Sequence, residues 1–320
     1  MPIGFCLHDV PPGSRVVPIG RRAEELGYSS LWVAETRLTR DAVSTMGALA
    51  ATTERISLGT SIVNTWTRGP VLMALTVATL NDLAPGRITL GLGASSDPLV
   101  ANQGIERRKP VTQMREYVGA VRRLLRLEPV TVEGEVVRVT DVTLDLLRGV
   151  PRDAVEVPIY IGATGRKMLE LATEIADGVI LNLFLPDEYT RKARRLLGKM
   201  EAPQLVAVAL SADGDQARAV TQRFVTMYLG GQPHIARELG LDPELVARLT
   251  ELVGTWPPQQ AGLEEATGLV GSEIVDRLAV AGTAAECRER VGEWVAAGAT
   301  YAIVVPLTEN VEEILEALAP

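Results

Sequence analysis

RISLGTSIVNTWTRGPVLMALTVATLNDLAPGRITLGLGASSD, residues 55–97, is the stretch of sequence that decides the fold. It predicts a strand over 56–60, a polar turn, a helix over about 71–83 and a second strand over 88–92, because a Pro-Gly pair signals a turn before that last strand. Strand, helix and strand in this order make a βαβ unit. Glycine, serine and threonine gather at the strand ends, and ligands bind at the carboxyl ends of strands in parallel α/β folds. The stretch therefore also predicts the rim of an active site.

The same alternation continues along the rest of the chain. Apolar residues recur with the period of strands and of amphipathic helices in turn. Eight strands with helices between nearly all of them predict an α/β fold, a closed (β/α)8 TIM barrel with insertions, rather than an open sheet. We expect one domain over 1–320, with insertions over about 97–156, where a hairpin is predicted, and over 230–283. The eight strands are predicted over residues 3–7, 30–34, 56–60, 88–92, 157–161, 178–183, 205–210 and 301–305.

Composition and charge limit the classes of function. The 320 residues are 47% hydrophobic, enough for one large core, and a net charge of −8 without a long basic run disfavours nucleic-acid binding. The start MPIGFCLHDVPPG lacks a signal-peptide pattern, and no apolar run reaches the ~18 residues of a membrane span, so we expect a cytoplasmic protein that binds no membrane. Cys6 and Cys287 lie far apart in apolar elements, which favours free buried thiols over a disulfide or a zinc site.

The predicted barrel places its working face just past the strands, where the residues are mostly small or neutral-polar. No HxH, HExxH or carboxylate cluster with metal-ligand spacing occurs there, which disfavours a metal site. His8 and His234 are the only histidines and no G-x-S-x-G elbow is present, which disfavours nucleophilic hydrolysis. A bulky organic cofactor that brings its own reactivity to a small-molecule substrate fits this face better.

Residues 162–167, GATGRK, lie between a predicted strand and the start of a helix. The free N–H groups and the dipole of a helix N-terminus favour a phosphate there, and Arg166 or Lys167 would add positive charge. The alternative is a tight turn between strand and helix, since the pattern G-x-G-x-x-G is not met. Gly91 and Gly93 carry less information, because glycine also lets a strand end pack closely.

Two carboxylates are the best candidates for proton transfer: Glu35 after the second strand and Asp97 after the fourth. For each, a helix cap or a solvated salt bridge is at least as good an explanation. Trp66 and Arg68 follow the third strand, where the indole would form a wall for a flat ring or simply cover the barrel rim. His8 would contact a ring or substrate from the first strand, or serve as an ordinary structural residue.

Several segments together resemble a known family. EELGYSSLWVAE near the start, ISLGTSIVNTWTRGP, LAPGRITLGLG and GIERRKP after it, VPIYIGATGRKMLELATEIADGVILN in the middle and AGTAAECRERVGEWVAAGATYAIVVP near the end resemble the bacterial-luciferase-like superfamily. Within it, they are most similar to the coenzyme F420-dependent methylenetetrahydromethanopterin reductase branch. The resemblance spans nearly the whole chain.

The resemblance implies an eight-stranded barrel with an insertion, usually dimeric, that binds reduced coenzyme F420 or FMN at the carboxyl ends of its strands. It also implies a non-prolyl cis peptide in a bulge after the third strand, behind the cofactor ring, which here is the Ser61–Ile62 bond. The helices over 42–52 and 71–83 are the candidates for the homodimer contact, because both are apolar and rich in small residues. Burial under neighbouring barrel helices explains the same composition.

The resemblance further implies which residues bind the cofactor. Glu35 and Thr36 match ring-contacting positions, Asn64, Thr65 and Arg68 match the N-x-x-T-R-x-P form of the branch, and the phosphate contacts match the loop after the fifth strand. The expected cofactor-binding set is His8, Ser61, Ile62, Val63, Asn64, Gly93, Ala94, Ala163, Thr164, Gly165, Arg166 and Lys167.

Departures from the family pattern affect the expected reaction. Cys6 stands where the reductase branch has a first-strand glutamate, Thr36 stands where sugar-phosphate relatives have a histidine, and Ser96 stands near the position of their glutamate. We therefore expect an F420-dependent oxidoreductase that reduces a C=N or C=C bond, with Glu35, Asp97 and Thr36 as its catalytic candidates. The alternatives are an FMN-dependent monooxygenase of the same fold and a non-catalytic flavin-binding protein.

Overall fold

A computed structural model of the chain describes residues 2–8, 12–35, 39–145, 153–254, 258 and 260–320, except the side chains of residues 97 and 98. The strands are β1 (Ile3–Leu7), β2 (Ser30–Val33), β3 (Ser57–Thr60), β4 (Val63–Asn64), β5 (Ile88–Gly93), β6 (Val130–Glu133), β7 (Arg138–Val142), β8 (Ile159–Ala163), β9 (Gly178–Leu181), β10 (Gln204–Leu210), β11 (Val280–Gly282) and β12 (Ala302–Pro306). The helices are α1 (Gly13–Glu25), α2 (Ala42–Thr52), α3 (Pro70–Leu83), α4 (Asp97–Ala101), α5 (Pro110–Leu125), α6 (Arg166–Ile175), α7 (Asp187–Leu197), α8 (Gly214–Gly231), α9 (Pro233–Glu238), α10 (Pro243–Val253), α11 (Gln260–Thr267), α12 (Ser272–Leu278), α13 (Ala284–Ala296) and α14 (Val311–Ala317).

All eight predicted strands are present, as β1, β2, β3, β5, β8, β9, β10 and β12, and each boundary lies within two residues of the prediction. With the helices between them they confirm the (β/α)8 TIM barrel. The sequence analysis missed α4, α14, β4 and β11. Three residues are too few for β11 to show a strand period, and its pairing with β10, Val280 opposite Val208, is what makes it a strand.

The described chain divides into two compact units, and the single domain stays a prediction. One unit comprises His8–Glu24 and Ser29–Ile180. Its strands pair in the order β2-β3-β5-β8, parallel throughout, and β4 pairs with the end of β5. Parallel strands are buried on both faces, which explains why these strands read as apolar at most positions: Leu31 and Leu58 are both fully buried.

Polar caps fix the helices that follow β2 and β4. Asp41 precedes α2, and its carboxylate accepts a hydrogen bond from the backbone N–H of Ser44 at 2.6 Å. At the other end of α2, the Arg87 guanidinium donates to the carbonyls of Ala50 and Thr53. Pro70 begins α3 at the position where the missing N–H costs nothing.

The other unit comprises residues 1–7, Glu25–Tyr28 and Leu181–Pro320. Its strands pair in parallel in the order β11-β10-β12-β1. Helices α9 to α12 lie within the range 230–283, where an insertion is predicted. A capping box closes the start of α13, where the Glu286 carboxylate accepts the N–H of Thr283 at 2.6 Å.

The predicted hairpin is confirmed as an antiparallel pair, β6 and β7, separate from the main sheet. Glu116 of α5 holds its turn, because the carboxylate accepts the N–H groups of Glu135, Val136 and Val137 at 2.8–3.0 Å. None of the helices among the described residues is long and apolar enough to cross a membrane.

Candidate active site

The junction of β3 and β4 carries one residue more than the strand beside it. Leu58 lies opposite Ile88, whereas Val63 lies opposite Leu92, so five steps along this segment match four along β5. A two-against-one pairing of this kind is a β-bulge, and bulges are enriched beside active sites. The bulge falls at residues 60–62, at the carboxyl end of β3.

Side-chain and backbone hydrogen bonds hold the bulge to both neighbouring strands. The Thr60 hydroxyl donates to the Gly91 carbonyl at 2.8 Å and accepts the Gly91 N–H at 2.9 Å, which replaces the missing ladder bonds. On the other side, Ser61 N–H donates to Val33 and Glu35 N–H donates to the Ile62 carbonyl. The Ser61–Ile62 peptide bond is cis, which confirms the bond that the family resemblance implied.

Ile62 presents an apolar surface at the carboxyl ends of three strands. It is half-exposed, although Ser61 and Val63 on either side are buried. A Cβ atom on Gly93 would lie 2.5 Å from Ile62 Cδ1, and one on Gly162 would lie 2.9 Å from Ile62 Cγ2. Glycine at the ends of β5 and β8 is therefore what makes room for this side chain.

Asn64 at the end of β4 fixes the position of the Glu35 carboxylate. The Asn64 side-chain carbonyl accepts the N–H groups of Trp66 and Thr67 and the Thr67 hydroxyl, all at 3.0–3.1 Å. Because that oxygen is fully engaged, the amide nitrogen faces the other way and donates to Glu35 Oε2 at 3.3 Å. The loop after β4 thus aims a donor at a carboxylate that follows β2.

Arg68 lies between two carboxylates. Its Nη2 makes a close ion pair with Asp41 Oδ1 and a longer one, 3.6 Å, with Glu35 Oε1. The Arg68 and Glu35 side chains are only 20% and 18% exposed. Tyr117 of α5 donates its hydroxyl to the Arg68 carbonyl at 2.8 Å, and Arg68 Nε is buried without a hydrogen-bond partner.

The two carboxylates beside Arg68 have opposite pKa shifts. Burial raises the pKa of the Glu35 carboxyl; Arg68 opposes that rise and the negative charge of Asp41 adds to it. Burial alone would also raise the pKa of Asp41, but its bonds to Ser44 and Arg68 outweigh burial and lower that pKa. Of the two carboxyls, Asp41 is thus the more readily ionised and Glu35 the more readily protonated.

The loop after β4 is fastened to β5 and α5. The Trp66 indole N–H and Arg107 Nε both donate to the Ala94 carbonyl, at 3.0 and 2.8 Å. The Thr65 hydroxyl donates to the buried side chain of Gln113, whose amide donates back to the Thr65 carbonyl. These contacts make the rim near Glu35 a rigid part of this unit.

The predicted phosphate loop ends at the first turn of α6. Gly165 caps this helix without a side-chain hydrogen bond, and a Cβ atom there would meet nothing within 4 Å. The helix N-terminus is thus uncapped and open, unlike that of α13. The Arg166 side chain is 83% exposed and pairs with Glu170 in the next turn, and Lys167 is exposed.

The structure brings most of the predicted site residues to the carboxyl ends of β2, β4, β5 and β8. Thr36 lies outside the described residues. Asp97 begins α4, and its side chain is not among those described. His8 follows β1 and is half-buried. Whether these residues bind a cofactor or act in catalysis stays a prediction.

Asp41, Gln113 and Tyr117 are the site residues that the sequence analysis missed. Asp41 caps α2, and a capping carboxylate gives no sign in the sequence of a second role. Its partner Arg68 lies 27 residues further along the chain, and no local pattern connects an N-cap to a loop at that distance. A polar residue at an otherwise buried helical position was the one available signal for Gln113.

The chain is similar to known proteins over most of its length. Residues 4–301 match the family model described as luciferase-like monooxygenase. The chain is 28% identical, over 98% of its length and 97% of the relative's, to 5,10-methylenetetrahydromethanopterin reductase of Methanolobus tindarius. It is 30% identical to F420-dependent glucose-6-phosphate dehydrogenase of Beutenbergia cavernae, over 73% of this chain and 74% of the relative.

A solved structure shares the fold. The coenzyme F420-dependent tetrahydromethanopterin reductase of Methanopyrus kandleri superposes with a TM-score of 0.83 at 23% identity, covering 99% of this chain and 97% of that one. A parallel barrel with a bulge and a half-buried carboxylate at the carboxyl ends of its strands places this chain among the (β/α)8 barrel proteins, whose active sites lie at those ends. Within that class, the chain belongs to the luciferase-like monooxygenase family.

Proposed function

We propose that this protein is a coenzyme F420-dependent oxidoreductase that transfers a hydride between the deazaflavin and a small organic substrate. The observation that carries the proposal is the apolar surface of Ile62, set on two glycines beside the buried and weakly paired carboxyl of Glu35. Relatives whose names include F420-dependent reduction or dehydrogenation support the same cofactor.

The residues present fit such a cofactor. A flat ring needs an apolar support, which the partly exposed Ile62 offers, and a phosphate is favoured by a helix N-terminus, which α6 offers at Gly165 without a side-chain cap. Ala163 and Thr164 lead into that helix, and Asn64 and Ala94 end the strands beside Ile62. These residues would contact the cofactor between the bulge at residues 60–62 and the start of α6.

The bound deazaflavin would supply the hydride, so the chain's own residues need only bind, orient and manage one proton. Glu35 would hold or release that proton, because its carboxyl is buried and has only long contacts to Asn64 and Arg68. Ile62 and the Trp66 side of the rim would exclude water from one face. A C=N or C=C bond is the proposed substrate class, since Cys6 replaces the acid expected for the methanopterin reaction.

Titration of the cofactor-free protein with F420 and, separately, with FMN tests the proposal. We expect saturable F420 binding and no comparable FMN binding. Ile62→Glu should weaken F420 binding at least about tenfold, because it buries a charge under an apolar ring, whereas Leu269→Glu, an equally drastic change on an exposed leucine, should leave it unchanged.

Two outcomes would contradict the cofactor assignment. Tight FMN binding with oxygen consumption by the reduced protein would indicate the luciferase-like monooxygenase alternative. Binding of neither cofactor would remove the oxidoreductase proposal altogether.

We also propose that the protein is a cytoplasmic homodimer that binds neither nucleic acid nor membrane. Leu72, Leu75 and Leu83 of α3 are 46–50% exposed, and the exposed positions of α2 beside it carry no charge. Several exposed leucines on one helix favour an interface there. Both cysteines are free and buried, as suits a reducing compartment.

Sedimentation measures the oligomeric state directly. The wild-type protein should sediment at twice the 34.4 kDa of one chain. A Leu72→Glu, Leu75→Glu double variant should sediment as a monomer, and Leu269→Glu should remain dimeric. A monomeric wild type would exclude the homodimer.

A further inference from the structure

Arg68 divides its interaction unequally between two acids. Asp41 takes the close contact to Nη2, while Glu35 lies 3.6 Å from the same nitrogen and 3.3 Å from the Asn64 amide. Asp41 is already held in place, because its second oxygen accepts the Ser44 N–H at the start of α2. The acid on the helix cap therefore has the geometric advantage in the competition for the guanidinium.

We propose that Asp41 is a positioning residue: by holding the Arg68 guanidinium at the start of α2, it keeps Glu35 as the proton-exchanging carboxyl of the site. This inference deepens the proposed function and rests on it. Without Asp41, Arg68 would be drawn to the nearest remaining acid, Glu35, and would fix that carboxyl in its ionised form.

The backbone around Arg68 supports this division of roles. The Tyr117 hydroxyl binds the Arg68 carbonyl, and the Asn64 side chain binds the N–H groups of the two residues after Thr65. The backbone of the loop is therefore held in place. Only a movement of the Arg68 side chain can transfer its guanidinium from Asp41 to Glu35. Arg68 Nε, buried without a partner, shows that its pose is set by the carboxylates rather than by a full set of hydrogen bonds.

Arg68 and Asp41 exert the largest charge effects on Glu35 among the described residues, and the Tyr117 hydroxyl of α5 is close enough to be affected by its charge. Burial raises the pKa of the Tyr117 hydroxyl well above its usual range, so this group stays neutral throughout the working pH range. The charge effects on Glu35 thus come mainly from one cation, Arg68, and from the anion Asp41 that competes for it.

Carbon-13 NMR of protein labelled at glutamate carboxyls gives a readout that needs no cofactor. Glu35→Gln assigns the signal by deleting it. Asp41→Asn removes the charge but keeps a good helix cap. It should move the Glu35 titration midpoint to lower pH by about one unit, since it removes a like charge and frees Arg68. Arg68→Met should move the midpoint in the opposite direction.

The matched control is Asp213→Asn, the same change at the cap of α8 in the other unit, where the carboxylate accepts the Asp215 N–H. It should leave the Glu35 midpoint unchanged. Shifts of opposite sign in Asp41→Asn and Arg68→Met separate a charge effect from general loosening of the site, which would move both in one direction. An unmoved or raised midpoint in Asp41→Asn overturns the proposal.

A second readout ties the inference to turnover. The pH profile of F420-dependent turnover in Asp41→Asn should shift in the same direction as the NMR midpoint. A protein whose Glu35 midpoint shifts as expected but whose pH profile does not would show that Glu35 is not the proton-exchanging group, which overturns the assigned role. Failure of F420 to bind would instead defeat the proposed function, and the NMR result of the free protein would still decide the coupling of Asp41 to Glu35.

Discussion

The two ends of β3 and β5 use charged residues in different ways. At the amino ends, charged side chains bind the backbone: Glu24 accepts the N–H groups of residues 54–56, and Arg87 donates to the carbonyls of Ala50, Thr53 and Ile56. At the carboxyl ends, Arg68 and Glu35 interact mainly with other side chains.

This difference indicates that the charged residues at the amino ends stabilise the structure, whereas those at the carboxyl ends are suited to chemistry. A charge that is bound to several backbone groups cannot change its protonation without losing local structure, so it is suited to hold a loop. A charge that is shared between side chains can shift its partner at little structural cost. The carboxyl ends of a barrel are where catalytic residues lie, and the amino ends are where conserved charges serve stability.

The largest expected effect is that of Glu35→Gln on turnover. Losing a proton-transfer group should lower F420-dependent turnover by about a hundredfold or more, while F420 affinity changes little. Stopped-flow measurement of F420 oxidation checks the rate. Glu133→Gln, on the exposed edge of β6, is the matched control and should keep full activity.

The same variant has a stability signature with a defined sign. A folded-state pKa above the ordinary value means that Glu35 stabilises the fold at low pH and that this contribution is lost as pH rises through the raised value. Glu35→Gln has no carboxyl to ionise at this position, so it does not lose this stability as pH rises. It should be at least as stable as wild type at neutral pH. A marked destabilisation there would make Glu35 a structural residue like those at the amino ends.

Arg87→Met should have the next largest effect, on stability alone. Arg87 lies just before β5, and its guanidinium makes four hydrogen bonds to the end of α2 and to the segment before β3. The variant lacks all four. We expect a loss of about 2–3 kcal/mol in the free energy of unfolding, measured by urea denaturation. Arg115→Met removes an exposed ion pair to Glu174 and should cost well under that. Equal losses in the two variants would contradict the role of Arg87.

Thr60→Val tests what makes a residue serve stability: the backbone groups that it binds, or the strand end at which it lies. Thr60 lies at the carboxyl end but binds the backbone of Gly91 through both bonds of its hydroxyl. Valine has nearly the same shape and leaves a buried N–H and carbonyl unpaired, which should cost about 2 kcal/mol of stability. Thr60→Ser keeps the hydroxyl and should lose less. Calorimetric melting compares the two variants. A Thr60→Val variant as stable as wild type would show that the bulge does not depend on this hydroxyl.

Glu24→Gln should have the smallest effect, about 1 kcal/mol at neutral pH. Burial by itself would raise the pKa of Glu24, but its backbone hydrogen bonds lower it below the ordinary 4.5. The stabilisation is therefore present above that value and lost as pH falls through the lower folded-state pKa. Unfolding free energies of wild type and variant should converge in acid. Glu54→Gln, on an exposed neighbour, is the matched control and should keep wild-type stability at neutral pH.

Part of the candidate site could be predicted and part could not. The residues past the strand ends followed from the order of strands and helices, and the Ser61–Ile62 bond followed from the family resemblance. The Arg68 pairs could not be predicted, because Asp41, Glu35 and Arg68 belong to three segments that converge only when β2 pairs with β3, and β3 and β4 pair with β5. The exposed and ion-paired state of Arg166 was equally hidden in the sequence.

The sequence by itself determined the alternation of strands and helices, and with it the barrel, since local periodicity and turn residues are properties of short segments. It also placed the end of each predicted strand to within two residues. Only the tertiary structure decided which residues near those ends carry a shifted pKa, because burial and the distance between charges depend on segments far apart in the chain. Glu35 and Glu24 are both glutamates near a strand end, and their surroundings raise the pKa of the first and lower the pKa of the second.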